Sequence, residues 1–136
     1  MLQLDLRKSK KPRRKAPPPL EFTLHVMVAE VLRRWCTPGW EWTHLPLGEW
    51  RHIRTAMRLK RMGVQRGWPD FQFAGSDRRM AFLELKRKGN VLNENQQHIM
   101  LHLKWCGHDY LVTDNFDEAV SWLKRLGILP ATVEVQ

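Results

Sequence analysis

Two short apolar segments separated by a turn constrain the fold of this chain more than any other feature. They cover residues 70–74 and 80–87, and both have the alternation or the apolar character that is typical of β-strands. The residues between them, Gly75-Ser76-Asp77, favour a turn. The pattern therefore predicts a β-hairpin.

This hairpin carries three charged side chains that can act together. Glu84 and Lys86 are two residues apart on one strand, so their side chains point to the same face. A turn centred near Asp77 places Asp70 directly opposite Glu84, with the Cβ atoms about 5 Å apart. Two carboxylates at that distance repel each other, and a hard divalent cation such as Mg²⁺ compensates for the repulsion. A lysine beside such an ion can orient a water molecule and stabilise charge on a phosphate.

Each of these residues also has an ordinary structural explanation. Asp70 can cap a turn, and Glu84 and Lys86 can form an exposed ion pair that contributes little to stability. Glu84, however, lies within the apolar run 81–85, where an uncompensated charge costs free energy. We therefore favour a shared chemical role over three separate structural ones.

The rest of the chain predicts helices and strands in mixed order, hence an α/β fold. Asn93 is a typical residue before a helix, and Gly63, Gly107 and Gly127 are typical of helix ends. Helices are expected at residues 20–35, about 50–62, 93–105 and from Asp114 or Asn115 to Gly127, and further strands at 41–45 and 109–113. The first helix has an apolar stripe of Leu20, Leu24, Met27, Val28, Val31 and Trp35.

Positive charge is concentrated at the N-terminus. Residues 1–20 hold seven basic residues and one acidic residue, a charge of +6 out of the net +9. With the run Pro17-Pro18-Pro19, this composition predicts a disordered basic arm at residues 1–19 that either contacts phosphates or confers solubility. We expect one domain at residues 20–130 and a C-terminal tail at 131–136.

A second basic stretch lies inside the expected domain. Between Trp50 and Pro69 there is no acidic residue, and apolar residues at helical spacing indicate an amphipathic helix. A solvated arginine face is one explanation; because the charge is of one sign, we favour a surface that faces nucleic acid. The expected contacts are Arg51, Arg54, Arg58, Lys60, Arg61, Arg66 and Lys88.

Other features narrow the class of protein. Cys36 and Cys106 lie in helix-like segments and are interpreted as reduced core thiols of an intracellular protein. The chain has neither a long apolar run nor an apolar N-terminal segment, so we expect a cytoplasmic protein without a membrane partner. His98 and His102 lack a third ligand nearby, and we interpret both as surface residues.

The ordered motifs resemble one known family. Gly67-Trp68-Pro69-Asp70, then Glu84-Leu85-Lys86 on an apolar strand, then a helix with Gln96, is similar to the virus-type replication-repair nuclease (VRR-NUC) domain. The similarity extends over residues 21–120. It implies a restriction-endonuclease-like fold in the superfamily named for its Pro-Asp and Asp/Glu-x-Lys signature. By this resemblance Asp70, Glu84 and the Leu85 carbonyl bind Mg²⁺ or Mn²⁺, and Lys86 is catalytic.

Two further residues follow from the same resemblance. The family has an acid on its first helix, for which Glu21 and Glu30 compete; they point to opposite sides of the helix. Glu21 lies beside the apolar stripe and matches the family's spacing to His25, so we choose Glu21 as a metal-binding and catalytic residue, although it can also simply serve the helix dipole. Gln96 is expected to point towards the sheet and its active face, where we count it among the catalytic residues with Asp70, Glu84, Lys86 and Glu21. Asn93 and Gln96 also resemble a capping box, a purely structural role that can coexist with the first.

These expectations lead to a functional hypothesis. The chain is predicted to be a Mg²⁺-dependent DNA endonuclease that hydrolyses phosphodiester bonds by in-line attack of water. Free-standing domains that it resembles occur in phages and bacteria and act on four-way DNA junctions as homodimers, so we expect a Holliday-junction-resolvase-like activity on branched DNA. The alternatives are a flap or nicking nuclease and a catalytically inactive DNA-binding module.

Overall fold

The computed structural model describes residues 21–46 and 52–135, and within them helices and strands follow one another in the order that the sequence predicts. Glycines in the left-handed region end three of the four helices of this part: Gly63 at φ 95°, Gly107 at 88° and Gly127 at 76°. In chain order the elements are α1 (Glu21–Trp35), β1 (Trp40–His44), α2 (Ile53–Arg61), β2 (Phe71–Gly75), β3 (Met80–Leu85), α3 (Glu94–Trp105), β4 (Asp109–Thr113) and α4 (Phe116–Arg125).

The four strands form one mixed sheet in the order β1-β2-β3-β4. The pairs β1–β2 and β2–β3 are antiparallel, whereas β3 and β4 are parallel. The parallel pair needs a crossover connection, which α3 provides. The α/β class predicted from the sequence is confirmed.

The hairpin of β2 and β3 has the predicted register. Phe71 pairs with Leu83 in an antiparallel arrangement. The residue before Phe71, Asp70, therefore lies opposite the residue after Leu83, Glu84. At the turn, the N–H of Gly75 donates to the carbonyl of Arg79 at 2.8 Å. The strands therefore bring both carboxylates to the same end of the sheet.

The two faces of the sheet bury different side chains. One face packs against α1 and α4 and forms the main core, with Phe71, Phe73, Leu83 and Leu85 all fully buried. The other face is covered by α3, and Phe82 forms a smaller core there with Ile99, Leu103 and partly buried aromatic residues. Because side chains alternate along β3, Glu84 shares the second face with Phe82.

Several predicted core positions are exposed. Met27 and Trp35, expected on the apolar stripe of α1, are 38% and 44% exposed, because the helix contacts the sheet through Leu24, Val28, Val31 and Leu32 instead. Cys106, predicted to be a core thiol, is exposed at the C-terminal cap of α3, and Cys36 is half-buried. Both cysteines are free thiols.

Three predictions fall on residues that the structure does not describe. They concern the basic arm at 1–19, Leu20 of the first helix and the nucleic-acid contact Arg51. In the segment expected as a C-terminal tail, Val133 is buried and Val135 packs against the main core. Within residues 21–46 and 52–135, no helix combines the length and the apolar character needed to cross a bilayer.

Candidate active site

Two hydrogen bonds fix the Asp70 and Glu84 carboxylates beside each other, one between these two residues and one between Asp70 and Leu85. The backbone N–H of Asp70 donates to Glu84 Oε2 at 3.2 Å, and the N–H of Leu85 donates to Asp70 Oδ2 at 2.8 Å. Glu84 is only 2% exposed. The apolar strand predicted from the sequence therefore carries a buried carboxyl group that faces a second one.

This burial changes the acidity of both groups. The pKa of Glu84 is raised to about 8. The main cause is removal from water, and the second is the nearby charge of Asp70. Burial is also the main cause that raises the pKa of Asp70. A divalent cation bound by carboxylate oxygens would reverse this preference for the protonated forms, so the pair is suited to a hard cation.

Lys86 and Gln96 complete the group around Glu84. Lys86 Nζ lies 3.4 Å from Glu84 Oε1 and donates to Gln96 Oε1 at 2.8 Å. The amide of Gln96 donates in turn to Glu84 Oε1 at 2.8 Å. The capping box is also present, because Gln96 Oε1 accepts from the N–H of Asn93 and Asn93 Oδ1 accepts from the N–H of Gln96. Gln96 thus points towards Glu84 and forms the capping box, as predicted, and its part in catalysis stays a prediction.

The close approach of a loop to α3 positions Asp70. Gly67 has φ 97°, and a Cβ atom at this residue would lie 2.4 Å from the carbonyl oxygen of Asn95. Only glycine fits this contact without displacing the backbone. The loop then continues through Trp68 and the buried Pro69 into Asp70, so its path past α3 fixes where that carboxylate lies.

Glu21 reaches the same region through a histidine. Glu21 Oε1 lies 3.7 Å from His25 Nε2, which is 3.5 Å from Asp70 Oδ2. Glu30 is exposed. α1 therefore directs Glu21, and not Glu30, towards Asp70. That Glu21 binds a metal ion or takes part in catalysis stays a prediction.

Sequence reasoning missed His44 and the role of His25. His44 is the last residue of β1, and its Nδ1 is 2.9 Å from the backbone oxygen of Asp70. The ligand atoms of His25, His44 and Asp70 lie within 4.8 Å of one another. Spacing along the chain groups only His98 with His102, and both are exposed as predicted. No local signal places His44 here; the pairing of β1 with β2 does.

A cleft of about 960 Å³ opens above these residues. Asp70, Glu84 and Gln96 line it, and α2 forms another wall. No residue of α2 is buried: Ile53 and Met57, expected on an apolar stripe, are 70% and 61% exposed. Of the predicted nucleic-acid contacts, those within the described residues are all exposed: Arg54, Arg58, Lys60, Arg61, Arg66 and Lys88.

Comparison with known proteins bears on the fold. No protein family model matches the sequence, and no curated protein matches it. A solved structure titled "VRR_NUC domain protein" superposes with a TM-score of 0.61 at 21% sequence identity, over 82% of this chain and 89% of that chain. The chain has the VRR-NUC fold.

The VRR-NUC fold confirms the resemblance inferred from the motifs, at the level of architecture. It also agrees with the predicted restriction-endonuclease-like core, a mixed sheet with helices on both faces. In this VRR-NUC fold the hairpin of β2 and β3 carries Asp70 and Glu84, and α3 carries Gln96.

Proposed function

We propose that this chain is a metal-dependent DNA endonuclease that cleaves phosphodiester bonds in branched DNA. The observation that carries the proposal is the Asp70–Glu84 pair, which lines an open cleft together with Gln96; Gln96 joins Glu84 to Lys86 by hydrogen bonds. The VRR-NUC fold supports a nuclease-like domain. A purely structural pair of carboxyl groups would not require a lysine and an amide directed at the same oxygen atom.

The residues fit a divalent cation by their donor chemistry. Asp70 and Glu84 supply oxygen ligands, and we assign the Leu85 carbonyl and Glu21 to the same site, as the family resemblance implies. Oxygen ligands suit both Mg²⁺ and Mn²⁺. A bound cation would supply positive charge to a phosphate oxygen and lower the pKa of coordinated water.

The chain's own residues prepare the site for that chemistry. Gln96 holds Lys86 Nζ 3.4 Å from Glu84, so the ammonium group stays beside the place where a phosphate would carry negative charge. The N–H of Leu85 holds one oxygen of Asp70, which orients this carboxylate. Lys86 thus either hydrogen-bonds the attacking water or stabilises the phosphate.

The wall of the cleft provides the affinity for DNA. The basic side chains of α2 and of the loop after it project into solvent beside the cleft, and Lys60 and Arg66 line it directly. Each contact with a phosphate releases counterions, which makes binding dependent on salt. The exposed Ile53 and Met57 lie on the same helix and line the cleft too, so DNA would meet an apolar surface as well as a charged one.

The proposed substrate is a four-way junction, cut by a homodimer, because symmetric cleavage of two strands requires two active sites. The alternatives differ in what is cut. A flap or nicking nuclease would need only one site, and a DNA-binding module would use the cleft without chemistry. The three polar residues around Glu84, namely Asp70, Lys86 and Gln96, favour the enzyme over the binding module.

The test is cleavage of labelled four-way junction, flap and linear duplex DNA in Mg²⁺, Mn²⁺ or EDTA. The variant is Glu84→Ala, and the matched control is Glu30→Ala, which removes an exposed glutamate from α1. We expect paired nicks on the junction with the wild type and the control, and none with Glu84→Ala or EDTA.

The other outcomes separate the alternatives. Cutting of the flap, or single nicks, would retain the nuclease and reject the junction as its substrate. DNA binding without cleavage in either metal would reject the enzyme in favour of the binding module. Cleavage by Glu84→Ala at the wild-type rate would reject the assigned site.

A further inference from the structure

We infer that His25, His44, Asp70 and Glu21 form a second cation site, which contains nitrogen ligands and is selective for a transition-metal ion of the Zn²⁺ type over Mg²⁺. The inference rests on the proposed function in one respect, that Asp70 and Glu21 lie between the two sites and can serve either. It differs in its ligands, because the Asp70–Glu84 site has oxygen donors alone.

The distances around His25 match metal coordination better than hydrogen bonding. His25 Nε2 is 3.5 Å from Asp70 Oδ2 and 3.7 Å from Glu21 Oε1. Both separations exceed the usual range of N–H···O hydrogen bonds. Two ligand atoms of a tetrahedral Zn²⁺ ion with bonds of about 2.1 Å lie roughly 3.4 Å apart. The ligand atoms of His25, His44 and Asp70 all lie within 4.8 Å of one another, so these side chains would draw closer together around such an ion, with Glu21 at the edge of the group.

His44 is held in the form that a metal ligand requires. Its Nδ1 lies 2.9 Å from the backbone oxygen of Asp70, and a carbonyl oxygen can only accept a hydrogen bond. Nδ1 therefore donates, and the neutral ring keeps its lone pair on Nε2. A backbone carbonyl that fixes the tautomer in this way is the usual partner of a metal-binding histidine. The two rings meet edge to face, with their centroids 4.8 Å apart.

The fold brings the four ligands together from three elements. Glu21 and His25 are one turn apart on α1, His44 ends β1, and Asp70 immediately precedes β2. His25 is 15% exposed and Asp70 is 13% exposed, whereas Glu21 is 41% exposed. The site is thus enclosed on the histidine side and open to solvent at Glu21, which gives an ion a path of entry.

The selectivity follows from the donor atoms. Imidazole nitrogen binds Zn²⁺, Co²⁺ and similar ions well, while Mg²⁺ prefers oxygen and retains its water. Mg²⁺ would therefore occupy the Asp70–Glu84 site and leave the nitrogen site to a transition metal. Because Asp70 is shared, binding at one site changes affinity at the other.

The experiment uses Co²⁺ as a spectroscopic probe of the metal-free 136-residue chain, in excess Mg²⁺. Four-coordinate Co²⁺ absorbs in the visible far more strongly than the hydrated ion does. We expect one equivalent to produce these bands in the wild type, and His25→Gln and His44→Gln each to weaken binding at least tenfold. Glutamine at position 44 keeps an N–H donor for the Asp70 carbonyl, so this variant preserves the local backbone contact.

Two controls make the result specific. His98→Gln removes one of the two exposed histidines of α3, and its bands should equal those of the wild type. Glu84→Ala removes the oxygen site, and it should keep the bands. Bands that persist in both His25→Gln and His44→Gln, that vanish in His98→Gln, or that disappear in Glu84→Ala would each overturn the second site.

The readout also separates this inference from the proposed function. Cobalt bands that depend on His44 in a protein that cuts no DNA would reject the nuclease and keep the nitrogen site. Mg²⁺-dependent cleavage of DNA without cobalt bands that depend on the histidines would keep the nuclease and reject the nitrogen site.

Discussion

Replacing Glu84 with glutamine should remove much of the pH dependence of stability in the metal-free protein. Glu84 has a pKa of about 8 in the folded chain against a usual value of 4.5, because it is buried beside Asp70. A raised pKa in the folded state means that the protonated carboxyl group is favoured there. Its contribution to stability is present in full below about pH 4.5 and is lost as the pH rises to about 8.

The size of the effect follows from the difference between the two pKa values. Each pKa unit corresponds to about 1.4 kcal/mol, so ionising Glu84 costs on the order of 5 kcal/mol of unfolding free energy between pH 4.5 and pH 9. Glutamine cannot ionise. Its single amide oxygen can accept the hydrogen bond from the Asp70 N–H or the one from Gln96, but not both. The lost hydrogen bond lowers the free energy of unfolding by about 1–3 kcal/mol, and this cost barely changes with pH.

The assay is urea unfolding in EDTA at pH 5, 7 and 9, followed by tryptophan fluorescence, to which the buried Trp122 contributes. The difference in unfolding free energy between Glu84→Gln and the wild type should shift in favour of the variant by several kcal/mol from pH 5 to pH 9. Glu30→Gln, which changes an exposed glutamate on α1, should follow the wild type throughout. Adding Mg²⁺ at pH 9 should stabilise the wild type and have little effect on Glu84→Gln.

Parallel stability curves for Glu84→Gln and the wild type would refute the reasoning. They would mean that Glu84 is solvated enough to ionise normally, and that its distance from Asp70 does not create repulsion. The argument that a cation relieves that repulsion would then have no basis.

Three further changes test other parts of the structure. Lys86→Ala should lower the cleavage rate by about two orders of magnitude or more while leaving DNA affinity within a few-fold, because the ammonium acts on the reacting phosphate; single-turnover kinetics and a binding titration check this. Gly67→Ala should destabilise the protein by about 1–3 kcal/mol more than Gly63→Ala in urea unfolding, since both glycines have φ near 95° but only Gly67 approaches Asn95 closely. Lys60→Ala should weaken binding to junction and duplex DNA alike and reduce the slope of log affinity against log salt by about one, measured by fluorescence anisotropy.

The elements of the fold were predictable because their ends carry local signals. Asn93 and Gly107 delimit α3, and an odd-numbered turn centred near Asp77 specifies the register of the hairpin. The Asp70–Glu84 pair follows from that register without knowledge of any other element. These parts of the site depend on contacts between residues that are near in sequence.

The environment of Asp70 was less predictable because it depends on distant pairings. His44 reaches Asp70 only because β1 pairs with β2, with His44 opposite Phe71. Helical periodicity predicted α2 but not that Ile53 and Met57 would remain exposed, since a pattern of apolar residues does not say what covers them. Met27 and Trp35 on α1 differ from expectation for the same reason.

The sheet separates the residues that stabilise the fold from those that form the site. Leu83 and Leu85 of β3 are buried in the main core, while Glu84 between them faces α3 and the cleft. The free-energy cost of the buried Glu84 and the half-buried Asp70 can be tolerated because apolar burial on the opposite face does not depend on them. Substitutions at Glu84 should therefore abolish the proposed chemistry and still raise stability at alkaline pH, whereas substitutions at its two neighbours should lower stability at every pH.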